Sequence, residues 1–143
     1  MNRWLLLVAL PLIPVLVAPC GLAQTAPAPA VTSAQPRTAP RNVSAAEFER
    51  MLQGTNVVVL DVRTPAEFEG GHLPKAVLLD YRAPDFTNKV ARLDRSKTYL
   101  VHCAGGVRSS KACVSMISLG FTNVVNLEGG LGAWQEAGKP LQE

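Results

Sequence analysis

The sequence predicts an α/β layer structure built on a mainly parallel sheet. Two observations carry that expectation. Four short apolar runs, at residues 57–61, 76–79, 98–102 and 121–126, have strand character, and helix-compatible segments lie between them. Strands that alternate with helices pair side by side through crossover connections. A third observation points to function: the first and third runs lead into chemically capable residues, Asp61 and Cys103. In open parallel sheets ligands bind beyond the carboxyl ends of the strands.

Residues 1–23 have the form of a secretory signal. Arg3 supplies the positive start, residues 4–17 form an apolar run, and Gly21-Leu22-Ala23 offers small residues at the cleavage-determining positions. Pro11 and Pro14 interrupt the run, which is too short to span a bilayer comfortably. Cleavage after Ala23 is the expectation, and it leaves no membrane attachment. Lipid attachment at Cys20, which follows the poorly matching Pro19, and a retained anchor are the alternatives. All three put the domain outside the cytoplasm, and a periplasmic address is expected. Residues 24–41 are rich in Ala, Pro and Thr with almost no large apolar residue, so they read as a loose linker. Residues 42–143 then make one domain, since a chain of 143 residues supports one core and not two.

Within that domain Ser44 and Glu47 form a capping-box pair ahead of a helix carrying Phe48, Met51 and Leu52, which Gly54 ends. Residues 57–60 are continuously apolar, as in a strand buried on both faces, and finish at Asp61. Thr64-Pro65 starts a helix of one to two turns through Phe68, stopped by Gly70-Gly71. After the strand at 76–79, residues 85–93 suit a helix with Phe86 and Val90 inward. The strand at 98–102 feeds a tight loop and a helix over 109–119 that Gly120 closes. The strand at 121–126 and a helix over 131–137 complete the order.

The net charge of +3 is small and spread, with no basic cluster, so a nucleic-acid role lacks support. Of three cysteines, only Cys103 and Cys113 remain once the signal is removed. Ten residues apart, in a loop and its following helix, they are poorly placed to bridge. Unpaired thiols in an oxidising compartment need a reason, and for Cys103 that reason is chemistry. The two histidines and these cysteines show no metal-ligand spacing, and no cofactor is implied.

The stretch from Tyr99 to Gly120 organises the chain. A strand that passes through a Gly-containing loop into a helix N-terminus leaves unpaired N–H groups converging on one point. A cysteine there is held as the reactive thiolate. The amides of Ala104, Gly105, Gly106, Val107, Arg108 and Ser109 are expected to wrap the sulfur, with both glycines easing the backbone and Arg108 adding fixed charge. The competing reading is an inert, packed cysteine, since free Cys is among the most buried residue types. A following Gly-Gly-x-Arg-Ser is hard to explain by packing.

Three stretches resemble the rhodanese-like (sulfurtransferase) family: LDVRTPAEFEGGHLPKAV at 60–77, VHCAGGVRSS at 101–110 and LGFTNVVNLEGGLGAW at 119–134. They stand in the family's order and spacing. The resemblance implies the single-domain rhodanese fold, three layers with a central parallel sheet and helices on both sides. It implies transfer of sulfane sulfur through a Cys103 persulfide, from a small donor such as thiosulfate or a persulfide to a thiophile, cyanide or a thiol, a protein thiol included. Four residues separate Cys103 from Arg108, as in the sulfurtransferase loop, whereas the cell-cycle phosphatases of this fold use a loop one residue longer. The chain departs from the family at Ala104, where many active relatives carry a basic residue, at Val107, where polar residues are frequent, and at Lys75, usually Gly. Arg108 is then the one obvious cation, and a thiosulfate dianion is held less firmly. A carrier module that holds a persulfide or anion for a partner without turnover is the alternative, and a phosphatase-like or arsenate-directed enzyme is a third reading.

Other residues have two readings each. Arg108 forms the site either by meeting an anion or by holding the loop's shape against a carboxylate. Asp61 and Arg63 match the family's Asp-Val-Arg and either brace the active loop or form an ordinary ion pair, and Arg63 is also within pairing distance in sequence of Glu67. His72 is catalytic or, in its Gly-His-Leu-Pro setting, orders a turn. His102 points to the face opposite Cys103 and acts as a packed histidine, since an existing thiolate needs no base. Cys113 shares helical spacing with Met116, Ile117 and Gly120, which marks packing, with a resolving thiol as the sharper option. Trp134 is core or pocket roof, and Lys75 is a surface substitution or a source of positive charge at the rim.

Overall fold

A computed structural model describes residues 39–143. The signal segment, Cys20 and the linker up to residue 38 lie outside the described residues.

The chain runs β1 (Arg41–Val43), α1 (Ala45–Met51), β2 (Val57–Asp61), α2 (Pro65–Glu69), β3 (Ala76–Leu78), α3 (Phe86–Ala91), β4 (Thr98–His102), α4 (Val107–Ser118), β5 (Val124–Leu127) and α5 (Gly130–Glu136). Five strands form one sheet in the order β1-β5-β4-β2-β3, with every pairing parallel. Asp61 lies opposite His102 in the β2–β4 register, so the ends of these central strands are level.

Each face of the sheet takes alternate residues of the Val- and Leu-rich strands. Leu60, Tyr99 and Val101 meet Phe86 and Val90 of α3 and Ala112, Cys113 and Met116 of α4. Val59, Leu100, Val125 and Leu127 meet Phe48 of α1 and Leu131 and Trp134 of α5. Burying such a side chain contributes about 1.5–3 kcal/mol relative to leaving it exposed. The result is three layers, with helices on both faces.

Several elements differ from the sequence expectation. Strand β1 was not foreseen, and its first residue, Arg41, falls in the stretch read as linker. Only Val43 of its three residues is buried, so no period was available to signal it. The last strand starts at Val124 rather than 121, because Gly120 turns the chain at φ 89° and Phe121 packs edge-on against Tyr99. Helix α4 begins at Val107 rather than 109, which puts Arg108 in its first turn. At α1, Ser44 Oγ accepts from the Glu47 amide, but the Glu47 carboxylate pairs with Arg41 instead of closing the capping box. The complete box is at α2, between Thr64 and Glu67.

Cys113 is fully buried, and burial pushes its thiol up to about 12. It is a packing residue rather than a resolving thiol. Trp134 packs against Phe48 and donates Nε1–H to Pro140 O, in the core layer opposite the one that contains Cys103, so it does not roof the loop. His72 stacks on Phe68, with Nδ1 3.2 Å from Phe68 O, and its backbone bridges Gln142. Lys75 is exposed and precedes β3 at the amino ends of the strands, far from any rim around Cys103.

Candidate active site

Strand β4 delivers Cys103 to the carboxyl end of the sheet, and the chain turns at once into α4. Gly106 is the N-cap of this 12-residue helix at φ 89°, and no side chain caps it. The open amides of the first turn are therefore free to face an anion. Cys103 Sγ accepts from Gly106 N–H at 3.1 Å and from the Ser109 hydroxyl at 3.4 Å. That hydroxyl also lies 3.0 Å from Gly106 O, so its single proton serves one acceptor at a time.

The Cys103 residue is 2% exposed. Burial alone pushes its thiol up, but the Ser109 hydroxyl and the amides of Ser109, Gly106 and Gly105 together outweigh it. The thiol ends below its ordinary value. The hydroxyl was not anticipated and acts more strongly than any single amide. Of the other loop residues, Ala104 turns its carbonyl to α5 and Val107 leaves its side chain 67% exposed. Only Gly106 needs to be glycine. A Cβ there would meet Gly129 N at 3.1 Å, whereas Gly105 has open space and no positive φ.

The loop's carbonyls are held from behind. Leu131 N–H donates to Cys103 O at 2.7 Å and Gly132 N–H to Ala104 O at 3.0 Å. With these oxygens turned to α5, the amides on the other side of the loop are left for the sulfur. The close approach depends on Gly130, at φ 58°, where a Cβ would lie 2.4 Å from Cys103 O. The contact is tertiary, so no local pattern around Gly130 signals it.

Asp61 and Arg63 form a buried ion pair at the carboxyl end of β2. Arg63 Nη2 donates to Asp61 Oδ2 at 2.6 Å and Nε reaches both carboxylate oxygens. A further bond from Nη2 to Gly71 O, 2.8 Å, ties in the turn after α2. Neither residue is exposed, which separates them from an ordinary surface pair. His102 is buried beside them with Nε2 3.7 Å from Asp61 Oδ2. Neither ring nitrogen has a hydrogen-bond partner among the described residues. Burial pushes the ring down to about 4, with the Asp61 charge opposing and Arg63 adding, so His102 is neutral.

Arg108 makes a two-pronged pair with Glu67: Nη1 to Oε2 at 2.7 Å and Nη2 to Oε1 at 2.6 Å. Arg63 and Glu67 are not partners. Arg63 is drawn under the sheet end to Asp61, and Glu67 turns outward to α4. The Arg108 guanidinium holds the Glu67 carboxyl well below the usual carboxylate range, and Glu67 raises Arg108 above its already high value. The Cys103 sulfur lies close enough to the guanidinium to add to that shift.

A shallow groove of about 370 Å³ runs beside the loop between Gly105, Val107, Lys111 and Asn126. A larger cavity, about 490 Å³, opens at the amino ends of β2 and β3 between Leu52, Val57, Pro74 and Pro140, and no cysteine or histidine lines it.

The family profile described as rhodanese-like domain matches residues 44–137. A sulfurtransferase of Allochromatium vinosum is 30% identical over 93 residues, covering 65% of this chain and 85% of that protein. A putative sulfurtransferase of Bacillus subtilis is 35% identical over 97 residues, covering 68% of this chain and 91% of its own length. Among solved structures, a rhodanese-related protein from Thermoplasma volcanium matches with a TM-score of 0.63 at 33% identity, covering 71% of this chain and 97% of that one.

Proposed function

Because the chain belongs to the rhodanese-like family, we propose that it is a sulfurtransferase that carries sulfane sulfur as a persulfide on Cys103. The sulfurtransferase relatives support sulfur transfer in general. The observation that carries the finer reading is the Cys103 sulfur seated at the N-terminus of α4, with Gly106 N–H and the Ser109 hydroxyl directed at it. Donors aimed at a sulfur anion stabilise the thiolate before reaction and a persulfide after it.

The Cys103 thiolate attacks the outer sulfur of thiosulfate or of a persulfide. A bond forms from Sγ to that sulfur, the donor's own S–S bond breaks, and its electron pair leaves on sulfite or a thiolate. A thiophile, cyanide or a thiol, then takes the outer sulfur, and the pair returns to Sγ. Neither step changes the net electron count, so no redox partner is required. No base is required either, which agrees with a neutral, buried His102. Arg63 and Asp61 tie the end of β2, the strand paired with the one that carries the loop, to the turn after α2. The apolar run at 4–17 after Arg3 supports placing this reaction outside the cytoplasm.

Intact mass and turnover test the reading together. Incubation with thiosulfate is expected to add one sulfur atom to Cys103, and cyanide to remove it as thiocyanate. Cys103→Ser is expected to lose both while keeping its fold by circular dichroism. Sulfur transfer that persists in that variant would overturn the mechanism. The mass of the protein isolated from its own cells reports whether residues 1–23 are removed.

A further inference from the structure

Glu67 takes both terminal nitrogens of Arg108, the side chain that would otherwise meet an incoming anion with an unpaired charge. Both prongs of the guanidinium are engaged, at 2.6 and 2.7 Å. The carboxylate cannot easily swing aside, because its Oε2 also accepts from Thr64 N–H at 3.0 Å and Thr64 Oγ1–H at 2.9 Å, in the capping box that starts α2. Arg108 is the one basic residue between Cys103 and Ser110. The neighbouring cation, Arg63, is buried and paired with Asp61, with a further bond to Gly71 O. Lys111 and Glu128, opposite in charge, both line the groove on the loop's far side. Each of the two arginines near the sulfur is thus matched by a carboxylate, and a Cys103 thiolate then gives the site a net negative charge.

We propose that Glu67 is a specificity-determining residue, selecting sulfur donors that carry one negative charge, persulfides and thiosulfonates, over dianionic thiosulfate. The proposal rests on the sulfur-transfer reading above. Amide and hydroxyl donors satisfy one sulfur anion through short-range dipoles. They do not offset the repulsion that a second charge adds, and an unpaired Arg108 would. The chemistry is the same for either donor: Sγ bonds to the outer sulfur, the donor's S–S bond breaks, and the electron pair leaves on sulfite or on a sulfinate.

Thiosulfate and methanethiosulfonate make the test, since both present a sulfur on a sulfonyl centre and differ by one charge. Glu67→Gln keeps the cap, because Gln serves the capping box as Glu does, and removes the charge. Loading of Cys103 is followed by intact mass and kcat/KM for each donor. The variant is expected to shift the donor ratio toward thiosulfate about tenfold, mainly through KM, the effect of one unit charge at contact distance. Added salt is expected to slow thiosulfate relative to methanethiosulfonate in the variant but not in the unaltered protein. An unchanged ratio in the variant overturns the proposal. So does a thiosulfate rate in the unaltered protein that salt depresses more than the monoanion's, a result that stands even if the variant does not fold. If neither donor loads sulfur onto Cys103 in either protein, the sulfurtransferase reading itself fails and takes this one with it.

Discussion

Gly130 lies so close to the Cys103 carbonyl that a Cβ at that position would sit 2.4 Å from the oxygen, and 2.7 Å from Ala104 O. The active loop and α5 are thus fitted to each other through a residue with no side chain. Gly130→Ala is expected to cost about 3 kcal/mol, from overpacking and from a positive φ combined. It is also expected to slow alkylation of Cys103 as the loop is pushed off α5. Gly105→Ala, with open space around it, is expected to change neither. Urea denaturation and iodoacetamide kinetics on both variants check this, and equal losses would contradict it.

Ser109→Ala removes the strongest of the donors acting on the Cys103 sulfur. The thiol is expected to titrate higher, so the alkylation–pH profile moves to higher pH. Stability follows with a fixed sign. A folded-state pKa below the unfolded value means that the unfolded chain binds more protons in between, and stability rises with pH across that window. That contribution is lost as pH falls through the folded value. Ser109→Ala is expected to flatten the rise, as read from denaturation midpoints across pH. Cys113 acts oppositely: with its thiol pushed up to about 12, its contribution is lost as pH climbs above the unfolded value.

Asp61→Ala leaves the Arg63 guanidinium buried without its carboxylate, since Arg63 keeps only the Gly71 carbonyl. A loss of about 3–5 kcal/mol is expected. Replacing Arg63 by Met in the same protein is expected to recover part of that loss, because the unpaired charge is then gone. Guanidinium denaturation of the single and double variants reads the difference. A double variant as unstable as the single one would argue against a charge-pairing brace.

Lys75 stands at φ 61°, a backbone region that costs a residue with a Cβ about 1–2 kcal/mol. Lys75→Gly is expected to raise stability by about 0.5–1 kcal/mol once the extra freedom of glycine in the unfolded chain is set against this. Sulfur transfer is expected to stay as it was, because Lys75 lies at the opposite end of the sheet. A thermal or denaturant midpoint that falls would be the contrary result.

The sequence made the central part of this fold readable because it is local. Residues 98–102 are apolar and continuous, and the cysteine, glycines and arginine that follow them lie within one turn of chain. The rhodanese-like motifs added the layer order, which no local signal carries. Strand β1 escaped because Arg41 and Asn42 are exposed and a single inward Val43 makes no pattern. The partner of Arg108 escaped for another reason. Glu67 is 41 residues away, and Arg63 was the nearer cation in sequence. Gly130 carried a visible Gly-Gly signal, yet nothing in the chain says which backbone it must approach.

Full burial of Cys113 within α4 also has a consequence for damage and repair. In the sulfur-transfer reading Cys103 works as a thiolate, and peroxide converts such sulfurs to sulfenic acid. Its sister sulfur is walled into hydrocarbon and held as the unreactive thiol. Cys113 therefore offers an oxidised Cys103 no resolving thiol, and it is the only other cysteine among the described residues.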